Sequence, residues 1–269
     1  MTELSPSGGK VREKAKDMQD FDDSTLWRIS EFERIRFQTG NSGYARLGGP
    51  TVLPTTLVSE LAKLEYSANG SDPLEVIAAC MRHREPALIY LEFQGLVWPV
   101  TIFPRERLYH SPRDLTSELA RGARELKVHS VEPPGVRAPG HFMSERVAEE
   151  KHYRPLDPLL WNLGLMGPRA VLLDEISGNA AYRVAPDFHV GTIQISGAVA
   201  PAFQRLRVEA ASLKAIAKWP GMNLDRAIRM VNALYLLSGL MVLRMHPAAR
   251  KEPTAGVGSG FLGWIRKSR

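Results

Sequence analysis

The stretch 132–140, near the middle of the chain, most constrains how this sequence can fold. It contains three prolines and two glycines in nine positions. Proline removes a backbone donor and disfavours the helical conformation of the residue before it, so such a run interrupts helices and sheets alike. We therefore predict a linker at 133–140, between an N-terminal domain at 25–132 and a C-terminal domain at 141–252.

The N-terminal domain alternates helical and strand-like patterns. Asp72 followed by Pro73 predicts the start of a helix, because the carboxylate can cap free amides and proline fits the first turn. The runs 86–93 and 96–103 are rich in β-branched and aromatic residues and predict two strands. Pro99 inside the second run predicts an edge position or a bulge. A further helix is expected at 114–125, so the fold class is mixed α/β (α+β).

A weak internal similarity links the two predicted domains. Shifting the sequence by 82 positions superposes Pro73–Glu75 on Pro155–Asp157. The same shift predicts two strands after the second helix, at 169–173 and 180–184. Two interpretations stay open, a tandem repeat of one α/β unit or a coincidence between two similar motifs.

The residues 198–252 follow an ordered series of local signals. A first helix is expected at 198–205. Ser212 is placed to cap a second, short helix, and Asn223 to cap a long amphipathic helix at 224–238. Gly239 is expected to end that helix with a positive φ, before an apolar strand at 240–245.

Short helix, tight turn, long helix and strand in this order resemble the winged helix-turn-helix superfamily. In that superfamily the helix after the turn lies in the DNA major groove. The resemblance implies that an exposed helix face contacts bases and that nearby basic residues contact phosphates. Because winged helices also serve as docking units, the alternative is a protein partner on the same surface. The implied contact residues are Asn223, Arg226, Arg229, Asn232, Lys214, Lys218 and Arg244.

Catalytic and metal-binding motifs are absent from the sequence. Cys80 is the only cysteine and lies in an apolar run, which indicates a buried hydrophobe. There is no phosphate-binding or dinucleotide-binding glycine loop and no histidine pair at helical metal-binding spacing. We therefore predict no catalytic residue, no cofactor and no metal, although a Ser, His and Asp set assembled in space stays open. A candidate anion-binding cluster consists of Arg105, Arg107, Tyr109, His110 and Arg113.

Both ends of the chain differ in composition from its middle. Residues 1–24 are polar and predict a disordered arm. The basic tail 253–269 carries Phe261, Leu262, Trp264 and Ile265, which suit a membrane or partner anchor. The most apolar window, 233–243, is too short to cross a bilayer. The N-terminus has no apolar signal region, so a cytoplasmic location is expected.

Composition and motifs together favour a binding protein over an enzyme. The formal net charge is +6 and the sequence pI is about 9.5, which suits an acidic partner or nucleic acid. We predict a cytoplasmic, non-enzymatic regulatory or adaptor protein that acts through protein–protein contacts. The alternatives are a DNA-binding transcriptional regulator that uses the helix 224–238 and an anionic-ligand (nucleotide) binding protein. The sequence leaves the oligomeric state open.

Overall fold

The computed structural model describes residues 26–39, 53–66, 71–120 and 122–249. Within these residues the fold is mixed α+β, as predicted, with eight helices and two antiparallel sheets. The predicted arm at 1–24 and the tail at 253–269 lie outside the described residues. The helices are α1 (Ile29–Thr39), α2 (Thr55–Glu65), α3 (Pro73–His83), α4 (Leu115–Leu119), α5 (Leu156–Met166), α6 (Val199–Val208), α7 (Leu213–Ala217) and α8 (Leu224–Leu236). The strands are β1 (Trp27–Arg28), β2 (Ala87–Phe93), β3 (Leu96–Phe103), β4 (Leu108–His110), β5 (Lys127–Glu132), β6 (Tyr153–Pro155), β7 (Ala181–Val184), β8 (Ala211–Ser212) and β9 (Leu240–Leu243).

The first sheet is covered on both faces. Its strand order is β5-β2-β3-β4-β6, and β1 pairs with β3. Ile89 and Leu91 of β2 belong to the main hydrophobic cluster. The alternate residues Leu88 and Tyr90 pack with Phe32 of α1 in a second cluster. Burial of both faces explains why β2 and β3 are continuously apolar in sequence.

Pro99 lies in an interior strand of the sheet, but at a position that has a strand partner on one side only, so the predicted edge position is confirmed locally. It pairs with Tyr90 of β2. On the other side of β3, β1 pairs at Leu96 and Val97, and β4 pairs from Thr101 onward. Among the described strands none faces Pro99 on that side, and a residue without an N–H is tolerated where no ladder bond is needed.

The elements predicted for 198–252 are present, with a correction at Gly239. Asn223 Oδ1 accepts a hydrogen bond from the backbone N–H of Arg226 at 2.8 Å, as its predicted cap role requires. Ser238, not Gly239, has the positive φ, at 59°. Gly239 is required for space, because a Cβ there would lie 2.5 Å from Phe188 Cδ2.

The helix expected at 114–125 ends at Leu119, since Gly122 has a φ of 126° that an α-helix does not accommodate.

No strand forms at 169–173, although the sequence repeat predicted one there, whereas β7 lies in the predicted range 180–184. Two side chains, one distant and one local, bind the polar backbone groups that a strand partner would otherwise pair with. Asn232 of α8 accepts from the Leu173 N–H at 3.0 Å and donates to the Val171 carbonyl at 2.9 Å. The Arg169 guanidinium donates to the Val171 and Leu172 carbonyls. The segment is therefore an irregular wedge whose hydrogen bonds come from side chains.

Arg169 also joins this wedge to the start of α3. Its guanidinium contacts Asp72 at 2.6 Å and Glu75 at 2.8 Å. Arg169 and Glu75 are both 2% exposed at their side chains. Burial raises the pKa of Glu75, and the charge of Arg169 opposes that rise. The buried carboxylate therefore depends on the guanidinium beside it.

Close helix packing connects the parts of the chain on either side of 133–140. α5 packs along α8, and a Cβ at Gly164 would lie only 2.5 Å from Ala233 Cβ. Core side chains from both sides of the predicted linker belong to one hydrophobic cluster. The division into two domains stays a prediction. None of the helices in the described ranges has the length and apolar composition needed to cross a bilayer.

We expect Arg169→Met to destabilise the protein by about 3–5 kcal/mol, because it leaves the buried carboxylate of Glu75 without its counter-charge. Urea unfolding followed by circular dichroism measures the change. The matched control is Arg105→Met, which removes the exposed contact of Arg105 with Glu85 and should cost less than about 1 kcal/mol. Equal losses in the two variants would show that the Arg169 network does not carry this stability.

Candidate functional site

The helix α8, which the winged-helix resemblance would place in the DNA major groove, is buried along most of its length. Two stretches, Ala227–Ile228 and Met230–Leu234, are buried, and α5 covers the helix along one side. Full exposure within α8 is confined to Leu224–Arg226, its first three residues. A helix covered in this way has no long free face with which to enter a major groove.

The side chains expected on the exposed face of α8 have mainly structural contacts. Asn232 is fully buried and binds the wedge, so its prediction as an exposed contact residue is wrong. Arg229, whose side chain is 13% exposed, pairs with Asp225 at 3.0 Å. Its guanidinium also donates to the carbonyls of Leu165 and Gly167 at the end of α5. Arg229 therefore caps the C-terminus of α5, where helix carbonyls lack partners.

The remaining predicted contact residues are dispersed. Asn223 is exposed but serves as the cap of α8. Lys214 of α7 and Lys218, the residue that follows α7, are both exposed. Arg244 donates to the carbonyls of Glu175 at 2.7 Å and Ser177 at 2.9 Å, so its guanidinium is anchored to the chain.

The anion-binding cluster predicted at 105–113 does not form as one site. Arg105 pairs with Glu85 at 3.2 Å, and Arg107 pairs with Asp157. Tyr109 is buried, and its Oη contacts Asp114 at 3.1 Å and Thr116 at 2.9 Å. Burial raises the pKa of Tyr109 to about 12.

His110, another member of that predicted cluster, packs against two aromatic rings. Its ring lies 5.2 Å from the ring of Tyr153 and 5.9 Å from that of His152, measured between centroids. Burial, with the nearby His152 and Arg154, lowers the pKa of His110 to about 4. The fifth member, Arg113, is exposed. The prediction of one convergent site is therefore wrong, because Arg105, Arg107 and Tyr109 are bound to separate partners and successive residues of β4 project to opposite faces.

A groove of about 740 Å³ opens beside the exposed first turn of α8. It lies between the β2–β3 turn, the stretch 122–125, the end of α5 and the starts of α6 and α8. Its apolar lining includes Phe93, Leu165, Met166 and Val199, and its charged lining consists of Arg124, Arg226, Arg229, Glu125 and Asp225. Two of the predicted contact residues, Arg226 and Arg229, therefore meet here.

Two of the three arginines that line the groove are exposed and make no ion pair within the described residues. Arg229 is neutralised by Asp225, whereas Arg124 and Arg226 are exposed. Arg226 Nη1 donates to the Gly221 carbonyl at 2.5 Å, which fixes the side chain without neutralising it. Glu125 is the one lining carboxylate besides Asp225. Sequence reasoning missed Arg124 and Met166, because the groove is assembled from five separate segments and no local pattern marks it.

The C-terminal part of the described chain, which contributes the starts of α6 and α8 to the groove, is rich in basic residues. Residues 198–249 contain seven Lys or Arg and two Asp or Glu, a formal charge of +5, whereas the whole chain carries +6. Such asymmetry raises the local concentration of acidic ligands. An acidic partner is thus favoured at the groove over a basic one.

Neither a reactive thiol nor a cluster of metal-binding side chains is present in the described ranges. Cys80 is fully buried, and burial raises the pKa of its thiol to about 12. A low-reactivity thiol follows, because the thiolate is the nucleophile. Across the described residues no three His, Cys, Asp or Glu side chains group in a way that could hold a metal ion.

Comparison of the chain with family models, with curated proteins and with solved structures finds no match. The winged-helix resemblance therefore stays a prediction. Function has to be inferred from the chemistry of the groove and of the remaining polar clusters.

The low pKa of His110 predicts an acid-sensitive fold. A histidine with a folded pKa of about 4, below its ordinary 6.5, binds protons more readily when unfolded. The stabilisation is complete above pH 6.5 and is lost as the pH falls toward 4, by up to about 1.4 kcal/mol for each pH unit. Urea unfolding at pH 5 to 7 measures this slope, and His110→Gln should flatten it. The control His189→Gln, at an exposed histidine, should not; an unchanged slope in His110→Gln would refute the assignment.

Proposed function

We propose that this chain is a non-enzymatic adaptor or regulatory protein of the cytoplasm that binds an acidic, partly apolar segment of another protein. The groove beside α8 is the proposed binding site. The observation that carries the proposal is the combination of an open apolar lining with two exposed arginines, Arg124 and Arg226.

The lining of the groove suits a peptide better than a compact small ligand. Met166 is 45% exposed, so an apolar side chain of a partner would remove its surface from water, at about 25 cal/mol for each Å² buried. The guanidiniums of Arg124 and Arg226 match carboxylates, which they can bind through two parallel hydrogen bonds. An acidic segment with one or two apolar residues would use both features.

The start of α6 adds to the positive potential of the groove. Ala198 and Val199 line the groove, and Ala198 caps α6 without a side-chain hydrogen bond. The first amides of a helix carry partial positive charge, which favours a nearby carboxylate. The amide ends of α6 and the two arginines therefore all favour a negatively charged ligand.

Nucleic acid is the second candidate, supported by the exposed Lys214 and Lys218 and by the charge of 198–249. Because α8 is covered by α5, such binding would rely on phosphate contacts and would be strongly weakened by salt. It would therefore be insensitive to sequence, unlike the transcriptional regulator considered from the sequence.

Selection of a displayed random peptide library on the full-length protein tests the first candidate. We expect enrichment of peptides that contain Asp or Glu together with apolar residues. Arg124→Glu/Arg226→Glu should weaken a selected peptide at least tenfold, about 1.4 kcal/mol, as measured by fluorescence anisotropy. The matched control Lys214→Glu/Lys218→Glu changes the net charge equally and should leave peptide affinity within about threefold, well under 1.4 kcal/mol.

A fluorescent random DNA duplex separates the two candidates with the same variants. Failure to enrich acidic peptides, or an equal loss of peptide affinity in both double variants, would refute the groove as the binding site. Duplex binding that is lost in the Lys214→Glu/Lys218→Glu variant and falls steeply with salt would support the second candidate instead. Circular dichroism of each variant checks that its fold is intact.

A further inference from the structure

The sequence contains one strongly acidic segment, residues 17–23. It carries four aspartates and two apolar residues, and it has no basic residue. These six residues are Asp17, Asp20, Asp22, Asp23, Met18 and Phe21. No other window of seven residues in the chain holds four carboxylates. The segment therefore has the composition that the groove beside α8 favours, acidic and partly apolar.

The groove provides the opposite charge and an apolar surface. Arg124 and Arg226 are exposed in its lining and make no ion pair within the described residues. The formal charge of residues 17–23 is −4, so both guanidiniums attract the segment. Met166 in the same lining is 45% exposed, and an apolar side chain of the segment would remove its surface from water.

None of the other stretches outside the described residues carries a net negative charge. The stretches 40–52 and 67–70 contain no acidic residue, and residues 1–16 carry four basic and two acidic residues. The tail 253–269 holds three basic residues and no acidic one, so the arginines of the groove would repel it. Charge complementarity therefore selects 17–23 among these stretches.

Residues 17–23 join the described chain close to the groove. β1 begins at Trp27, which pairs with Val97 of β3. Val97 pairs in turn with Glu92 of β2, and the next residue, Phe93, lines the groove. Since neighbouring strands lie about 4.8 Å apart, the Cα atoms of Trp27 and Phe93 are about 10 Å apart.

The chain before β1 is long enough to place the acidic segment in the groove. Leu26 packs on the main hydrophobic cluster with Phe93, whereas Trp27 belongs to the cluster on the other face of the sheet. Leu26 therefore lies on the face that carries the groove. Because β1 is antiparallel to β3, the preceding chain has to turn back toward the β2–β3 turn. Phe21 lies six residues before Trp27, and such a length spans up to about 20 Å, so the turn can be accommodated.

We propose that residues 17–23 bind in the groove beside α8 of the same molecule and compete there with a protein partner. This assignment rests on the proposed function, because it takes the groove as a site for acidic segments and adds how access to it is controlled. In the bound state the aspartates contact Arg124 and Arg226, and the ring of Phe21 covers the exposed surface of Met166. A partner then binds only when its own acidic segment displaces this one.

The connection within one chain makes even weak binding effective. A short tether holds its end at a local concentration of about 1 mM. A segment whose free peptide binds with a Kd of about 0.1 mM would then occupy the groove in about nine tenths of the molecules. The apparent affinity of a partner would fall about tenfold, since the groove is open in only about one tenth of the molecules.

A photochemical cross-link in the full-length protein tests where the segment binds. Irradiation of the Phe21→p-benzoylphenylalanine variant should join position 21 to the groove lining, above all to Met166 or Val199, as identified by mass spectrometry of the digest. The product should have the mass of one chain on a denaturing gel. Added Arg124→Glu/Arg226→Glu should lower the yield about fivefold or more, because these glutamates repel the aspartates. The control Lys214→Glu/Lys218→Glu changes the net charge equally and should leave the yield within about twofold.

Loss of the acidic charge tests the competition. Asp20→Asn/Asp22→Asn/Asp23→Asn should raise the affinity for a labelled peptide of residues 16–25 about tenfold, as measured by fluorescence anisotropy, because the groove is then open. A peptide selected from the library should gain affinity to the same extent. The matched control Glu145→Gln/Glu149→Gln/Glu150→Gln removes the same charge at three exposed carboxylates outside the groove lining. It should leave both affinities unchanged.

The outcomes separate this proposal from the proposed function. Cross-linking to the groove lining without enrichment of acidic library peptides would support occupation by residues 17–23 and refute a protein partner at the groove. Equal peptide affinities in the wild type and the triple Asp→Asn variant would overturn the occupation, and tight binding of selected peptides would then leave the proposed function standing. A product with the mass of two chains, or cross-links outside the groove lining, would also overturn the occupation within one molecule.

Discussion

The buried guanidinium of Arg169 determines how the two parts of this chain meet. It binds two carboxylates at the start of α3 and two carbonyls of its own segment. Buried ion pairs add little net stability, because desolvation offsets much of the attraction, but breaking one is costly. Such a network therefore selects one arrangement over others. It holds the irregular wedge 169–173 between α3 and α8, and the hydrophobic cluster continues across this junction.

This arrangement decides which surface of α8 remains for binding. Asn232 is used to satisfy the backbone of the wedge, and Arg229 is used to cap α5. The polar groups of both side chains are needed to satisfy backbone atoms inside the fold. From the sequence alone, both side chains are assigned to an exposed face that could contact DNA. What remains accessible is the amino end of the helix, where Arg226 meets Arg124 and the apolar end of α5. The proposed binding site is therefore the groove at the start of α8 and not the face of the helix.

The sequence allowed correct prediction where the determining contacts are local. Asp72 and Asn223 cap helices through amides two or three residues away, and β2 and β3 form a hairpin of adjacent residues. Prediction failed where contacts with residues distant in sequence determine the local structure. The apolar run 169–173 has a strand-like composition, but a side chain from α8 binds its backbone. Likewise no pattern indicates that His110 packs near His152 or that five segments surround Arg124, since these contacts arise only when the sheet and helices assemble.

The arginines of the described chain differ in what surrounds their charge. Arg107, Arg169 and Arg229 are partly or fully buried, and each is paired with a carboxylate. Arg124 and Arg226, at the surface of the groove, are exposed and make no ion pair within the described residues. An exposed charge costs the fold little, because water solvates it, so the carboxylates of a partner can replace that water at both guanidiniums. Together with the apolar end of α5, these two arginines make the groove, rather than the covered face of α8, the surface suited to an acidic segment of another protein.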